Sequence, residues 1–218
     1  MTLEEEEYIT LFCEGDGGVY ITDVGYPKVT FGQKTRDVLD YIDSLTKSGR
    51  LYQDKKGHWR LVFNGLSCMS LLEVFSRHVV GKAFLDNLNG ALEYVGMFPA
   101  VQHALTLNGF VAFWDAEGGS SNAPQISISQ KDREVLDLIV EMFGGGVTLR
   151  DDSTHQWYLG GEKARTLYKI MLEKSHCPEK AEELRKHFEG PSYYTKQKTI
   201  REWMKTHPEI VEELEAKL

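Results

Sequence analysis

The sequence predicts an α+β protein made of two pseudo-symmetric αββαββα half-domains with antiparallel sheets, and a long internal repeat is the first reason. Residues 33–42 (QKTRDVLDYI) and 130–139 (QKDREVLDLI) are identical at seven of ten positions. Order is the second reason: each copy follows an apolar segment that ends in an acid and glycines, residues 9–18 in one half and 110–119 in the other. The third is alternation, because Lys28, Thr30 and Gly32 interleave with Val29 and Phe31, and Gln125, Ser127 and Ser129 with Ile126 and Ile128. Residues two apart share a sheet face, so one face of each sheet packs inward and the other is offered to something polar. A pseudo-twofold protein suits a pseudo-twofold partner, and duplex DNA is the commonest one.

Taken in order, residues 8–14 have helical character and Gly17 and Gly18 stop them. The β-prone runs 19–23 and 28–32 flank a Gly25-Tyr26-Pro27 turn. Residues 35–45 return to helical periodicity, 49–54 and 58–63 form a second hairpin around Lys55-Lys56-Gly57, and 66–77 close the half as a helix. In the second half, strands fall near 125–129 and 147–150, His155-Gln156-Trp157-Tyr158 echoes His58-Trp59-Arg60-Leu61, and 163–172 is helical. Residues 84–104 read as a connector, partly helical and interrupted by Gly96 and Pro99. The half-domains therefore span 1–96 and 97–190. A helical tail, 191–218, has no counterpart in the first half; it carries Lys196, Lys198 and Arg201 ahead of an acidic helix.

A chain of 218 residues with 41% hydrophobic residues has enough apolar material for real cores and is not of disordered composition. No apolar run approaches the roughly 20 residues that span a bilayer, and the first residues are Glu-rich rather than basic and apolar. Neither a membrane span nor a secretory signal is expected, and the protein reads as intracellular. Cys13, Cys68 and Cys177 lack CxxC spacing and read as packing thiols, the seven histidines lack ligand spacing, and Trp59 and Trp157 read as core. No P-loop, Rossmann fingerprint or nucleophile elbow occurs. A formal net charge of -8 runs against a nucleic-acid partner, yet much of the acid lies in residues 4–7 and at Glu209, Glu212, Glu213 and Glu215, where it could face away.

Chemistry concentrates at Asp16 and Glu117, each the last acid before a glycine pair. A carboxylate at a helix C-terminus meets the negative end of the macrodipole, at a cost of roughly 0.3 to 1 kcal/mol unless a cation compensates. Two such ends brought together by a pseudo-twofold would be worse. A divalent metal resolves the conflict, since Mg2+ takes carboxylate and phosphate oxygens together and closely spaced metals promote phosphodiester hydrolysis.

The two acid-ending segments, ITLFCEGDG at 9–17 and FVAFWDAEG at 110–118, resemble the paired motifs of a single-chain LAGLIDADG homing endonuclease. The resemblance runs to about Gly190. It implies motif helices packed together at the centre through small residues, here Gly15, Ala112 and Ala116, with Leu11 standing where the family usually has a small residue. It implies that Asp16 and Glu117 bind catalytic Mg2+, with Ca2+ supporting binding without cleavage. It further implies that Gln33 and Gln130, each in a glutamine-lysine pair at a strand end, organise water, and that Lys82 and Lys180 stand beside the scissile phosphates. The fold so implied has saddle-shaped antiparallel sheets over the DNA.

Resemblance aside, two-stranded ribbons with polar faces are among the few shapes that enter a major groove. The outward candidates are Tyr20, Thr22, Lys28, Thr30, Gln53, Lys55, Lys56, His58 and Arg60 in the first half. In the second they are Ser120, Ser121, Asn122, Gln125, Ser127, Ser129, Arg150, Asp152, Thr154 and Gln156. The more basic first half predicts an asymmetric target. The expectation is a monomer that makes a staggered double-strand cut in a long, pseudo-palindromic double-stranded DNA site, as in intron homing. The alternatives are an intron RNA maturase of the same fold and a non-cleaving DNA-binding regulator.

Overall fold

The computed structural model describes residues 1–120 and 124–190, so the expectations for Ser121, Asn122 and the 191–218 tail fall outside the described residues. Helix α1 (Leu3–Asp16) opens the chain. The Glu5 N–H donates to the Thr2 hydroxyl and the Thr2 N–H to the Glu5 carboxylate, which satisfies donors that a helix start leaves free. Then come β1 (Gly17–Ile21), β2 (Pro27–Gln33), α2 (Asp37–Thr46), β3 (Arg50–Gln53), β4 (Trp59–Asn64), a short 3-10 turn, α3 (Met69–Ser76) and α4 (Lys82–Tyr94). The second set is α5 (Leu107–Glu117), β5 (Gly118–Ser120), β6 (Gln125–Gln130), α6 (Arg133–Phe143), β7 (Gly146–Leu149), β8 (His155–Gly160), α7 (Gly161–Lys174) and α8 (Pro178–Phe188).

Both sheets are antiparallel, with the same strand order, β1-β2-β4-β3 and β5-β6-β8-β7, so the two-part α+β architecture is borne out. Each part carries one helix more than αββαββα, because α4 and α8 follow α3 and α7. Helix α4 takes up residues expected to be connector. Its buried Phe84, Leu88, Ala91 and Leu92 recur at helical spacing, while Gly90 faces open space and breaks nothing.

The repeated segment now has a physical reading. Val38, Leu39 and Ile42 on α2, and their counterparts Val135, Leu136 and Ile139 on α6, are buried against the sheets. Arg36 pairs with Asp40 at 2.8 Å and Arg133 with Asp137 at 3.2 Å, the same i,i+4 contact written twice on an exposed face. All three cysteines are buried and free, and Trp157 is fully buried with its Nε1–H donating to the Gly144 carbonyl. Trp59 is only half-buried and lies under the Arg36 guanidinium.

The two parts meet through α1 and α5. A Cβ on Gly15 would lie 2.6 Å from the Ala116 Cβ, so the helices approach where only glycine fits. Leu11, large where the motif resemblance implies a small residue, sits against Gly109, where an added Cβ would lie 3.0 Å from it. The small residue has moved to the partner helix, and close packing is kept.

Candidate functional site

Helices α1 and α5 end side by side, and their last residues, Asp16 and Glu117, line one cavity of about 430 Å³ with Gln33, Lys34, His58, Arg60 and Lys180. Each acid is the last residue of its helix, and the glycine that follows turns into extended backbone where a side chain has no room. At Gly17 a Cβ would meet the Thr30 carbonyl at 2.6 Å, and at Gly118 it would run into the Trp114 indole. Burial pushes Asp16 up to about 6 against the pull of Lys180, Arg60 and His58. Burial, and then the neighbouring Asp16 charge, pushes Glu117 up to about 7, with Lys180 opposing.

Lys180 is the cation that the helix-end argument required. Its ammonium donates to the Ala116 carbonyl at 2.8 Å and to the Trp114 carbonyl at 3.1 Å in the last turn of α5, the latter also accepting from the Gly118 N–H. Burial lowers its pKa, while Asp115, Asp16 and Glu117 act the other way. The Gln33 amide reaches the Asp115 and Ala116 carbonyls at 3.4 Å, which fixes it beside Glu117.

The remaining candidates are not gathered here. Gln130 lines a separate cavity of about 80 Å³ with Glu14, Phe84 and Asp132. Lys82 is the first residue of α4, its side chain 64% exposed and 3.9 Å from Asp86 one turn on. It starts its helix two positions before the place that Lys180 occupies in α8, so it points to solvent instead of to the acids.

Strand register sorts the predicted face residues. Tyr20 pairs with Lys28, Lys28 with Asn64, Thr30 with Val62 and Gly32 with Arg60, so these share one face of the first sheet. Arg50 and Tyr52 join them through Val62 and Arg60. Gln53 pairs with Trp59 and therefore lies on the opposite face, its amide donating to the Gly57 carbonyl. Thr22 accepts from the Tyr26 N–H within the first hairpin turn, and Lys55 and Lys56 are exposed at the tip of the second. His58, one step outside β4 and in phase with Arg60, reaches the central cavity.

In the second sheet, Ser127 pairs with Tyr158, Ser129 with Gln156, and Gln156 with Thr148, and Gln125 shares their face. Ser127 is 8% exposed and donates to the Gly119 carbonyl, so it is less available than its phase implies. The Ser120 backbone pairs with Ile126, out of phase with Ser127. Arg150 and Thr154 close the β7–β8 turn by a backbone bond, and Asp152 accepts from the Thr154 N–H within it.

Sequence reasoning missed Arg50, Tyr52, Asn64, Thr148 and Tyr158, all recoverable by counting in twos from a neighbour already placed. It also missed Glu14 and Asp115, the acids two positions before the helix ends. Glu14 accepts from the Val80 and Gly81 N–H groups at 2.7 and 2.8 Å, and burial nonetheless pushes it up to about 8. Asp115 accepts from the Tyr8 hydroxyl at 2.7 Å, the Ser175 hydroxyl at 2.6 Å and the His176 N–H at 2.9 Å. Each acid ties its motif helix to the chain entering the last helix of its own part.

No protein-family model matches the chain, and no curated protein matches it. Solved structures do, and they define the class: the chain has the fold of the LAGLIDADG homing endonucleases. In particular it is similar to the LAGLIDADG meganuclease I-AabMI bound to uncleaved DNA, at 16% identity and TM-score 0.65, over 89% of this chain and 92% of that one. It is also similar to the homing endonuclease I-LtrWI bound to target DNA, at 13% identity and TM-score 0.55, over 93% and 91%. For I-SmaMI bound to an uncleaved DNA target in the presence of calcium ions the values are 8% and 0.56, over 85% and 98%.

Proposed function

We propose that this protein is a site-specific, divalent-metal-dependent DNA endonuclease that binds a long, roughly twofold duplex across both sheets and cuts each strand by phosphodiester hydrolysis. One observation carries the reading: two carboxylates, raised to about 6 and about 7, are held together at the ends of the packed helices in a cavity that also contains Lys180, Arg60 and Gln33. Folding spends stability to bury like charges there, which makes sense for a site that a cation completes.

The donor set fits Mg2+, because Asp16 and Glu117 offer hard oxygen ligands and leave room for phosphate oxygens. When bound, the ion would supply charge to a phosphate oxygen and make water a stronger nucleophile. The chain's own residues do the rest. Lys180 places an ammonium where negative charge develops on the phosphate, and Gln33 presents an amide that orders solvent. Lys28, Arg50 and Arg60, with Lys55 and Lys56 at the hairpin tip, contact phosphates or guanines, and Thr30, Asn64, Gln125, Thr148 and Gln156 read base edges.

A randomised duplex library incubated with the protein in Mg2+, and in parallel in Ca2+, tests this by sequencing both cut ends and retained DNA. Cut ends sharing one long motif support the endonuclease. Retained DNA with no cutting in Mg2+ favours the regulator, and affinity for structured RNA alone favours the maturase.

A further inference from the structure

The two helix-end acids share a pseudo-twofold, but the groups around them do not obey it. On one side Gln33 meets Lys180, Arg60 and His58 in the cavity of about 430 Å³. The symmetry-related side is built from Gln130, in a cavity of about 80 Å³ that no lysine or arginine among the described residues lines.

The substitutions can be followed position by position. Lys180 is the third residue of α8, and the third residue of α4 is Phe84, packed on Phe75 at 5.7 Å between ring centroids. The matching of α4 to α8 rests on the acids: Glu14 holds the Val80 and Gly81 N–H groups just before α4, and Asp115 holds the His176 N–H just before α8. Arg60 lies opposite Gly32, one residue before Gln33, and Gln156 lies opposite Ser129, one residue before Gln130. Because Gln33 pairs with Trp59 and Gln130 with His155, His58 is answered by Thr154, one position earlier than the echo of residues 58–61 in 155–158 implies. Three cationic or cation-capable side chains on one side therefore face an aromatic, an amide and a hydroxyl on the other.

We infer, resting on the endonuclease reading above, that the two reaction centres are unequal and that the protein is a strand-ordered nicking enzyme: the strand lying over Gln33 and Lys180 is cut first, and the strand over Gln130 and Phe84 much later. At each centre the same bonds change. Water adds to phosphorus, the bond from phosphorus to the leaving sugar oxygen breaks, and a proton passes to that oxygen. Among the described residues, only the first centre has a fixed ammonium to stabilise the charge that develops as this happens. A single preorganised donor of this kind is worth about 10²- to 10³-fold in rate, and that sets the expected gap between the strands.

The test uses the duplex selected from the library in Ca2+, labelled separately on its two strands and placed also in a supercoiled plasmid. After Mg2+ is added, open circles are expected to accumulate before linear DNA, with nicks on one strand and a first-strand rate about 10²- to 10³-fold the second. Lys180→Met is expected to slow the fast strand about 10²-fold and the slow strand much less, so that the two converge. Its fold is checked by thermal melting and its DNA binding by fluorescence anisotropy in Ca2+. Equal rates on both strands in the unaltered protein overturn the inference while leaving the endonuclease reading intact. So does a slow strand that Lys82→Met slows further, since that would put Lys82 at the second centre. Binding without cleavage of either strand overturns the endonuclease reading, and the inference with it.

Discussion

Asp16, Glu117 and Glu14 are carboxylates that folding takes out of water, and their pKa values of about 6, 7 and 8 set the pH behaviour. The folded state holds protons that the unfolded state releases near pH 4, so the linkage favours folding at low pH and that benefit is lost as pH rises through about 6 to 8. Without divalent ions the melting temperature is therefore expected to fall between pH 5 and pH 8. Glu117→Gln should narrow that gap by raising stability at pH 8 on the order of 1 kcal/mol, the exposed part of the group discounting the full linkage. Mg2+ should raise the pH 8 value for the unaltered protein and much less for the variant, since an ion that binds only the folded state stabilises it. Scanning calorimetry reads all of this, and an unchanged gap would contradict it. Asp115→Ala strands the Tyr8 hydroxyl, the Ser175 hydroxyl and the His176 N–H together, and urea denaturation should show a loss of about 3 kcal/mol. At this scale the sequence disclosed Asp16 and Glu117 because glycines punctuate them. Glu14 and Asp115 were opaque because their partners lie on chain segments about sixty residues away, beyond any local pattern.

Helices α1 and α5 form the element on which both acids depend. Gly15→Val adds bulk where even a Cβ lies 2.6 Å from Ala116, and overpacking of this kind destabilises by about 1 to 3 kcal/mol. Chemical denaturation should show that loss, and cleavage should fall further than stability because the acids separate. A Gly15→Val protein with normal cleavage would mean that helix spacing does not position the site. Legibility at this scale followed from periodicity. The segments 33–42 and 130–139 announced α2 and α6 because core positions and ion pairs both recur in them. Strand β3 came out of phase, since in a four-residue edge strand one step exchanges Tyr52 for Gln53. Residues 84–104 read as a partly helical connector because Gly96 and Pro99 interrupt them, but both lie beyond the end of α4, which the buried stripe of Phe84, Leu88, Ala91 and Leu92 holds despite Asn87, Asn89 and Gly90.

Across the whole molecule, charge is separated more than the net value of -8 suggests. The acids of residues 4–7 sit at the start of α1, about 14 to 18 Å along the helix from Asp16. Three of the four are occupied there: Glu6 by Arg77 and His78, Glu5 by the cap and Glu7 by the Thr106 hydroxyl. The first sheet meanwhile presents Lys28, Arg50 and Arg60 on one face, and the second presents mostly neutral polar groups. Affinity is therefore expected to come chiefly from the first half. Arg50→Ala should weaken binding and reduce the salt slope of the binding constant by about 1, as fluorescence anisotropy across a salt series would show. An unchanged slope would remove Arg50 from the interface. Net charge could not have revealed this, because it averages over faces that only the folded register separates.

The decisive comparison is cleavage of the selected duplex in Mg2+ by the unaltered protein, by Asp16→Asn and by Glu117→Gln, with binding in Ca2+ measured beside it. Both variants are expected to keep the fold and bind the duplex while losing double-strand cleavage by several orders of magnitude. Persistent cleavage in either variant would move the metal site elsewhere and contradict the assignment of the two helix-end acids as the centre of the chemistry.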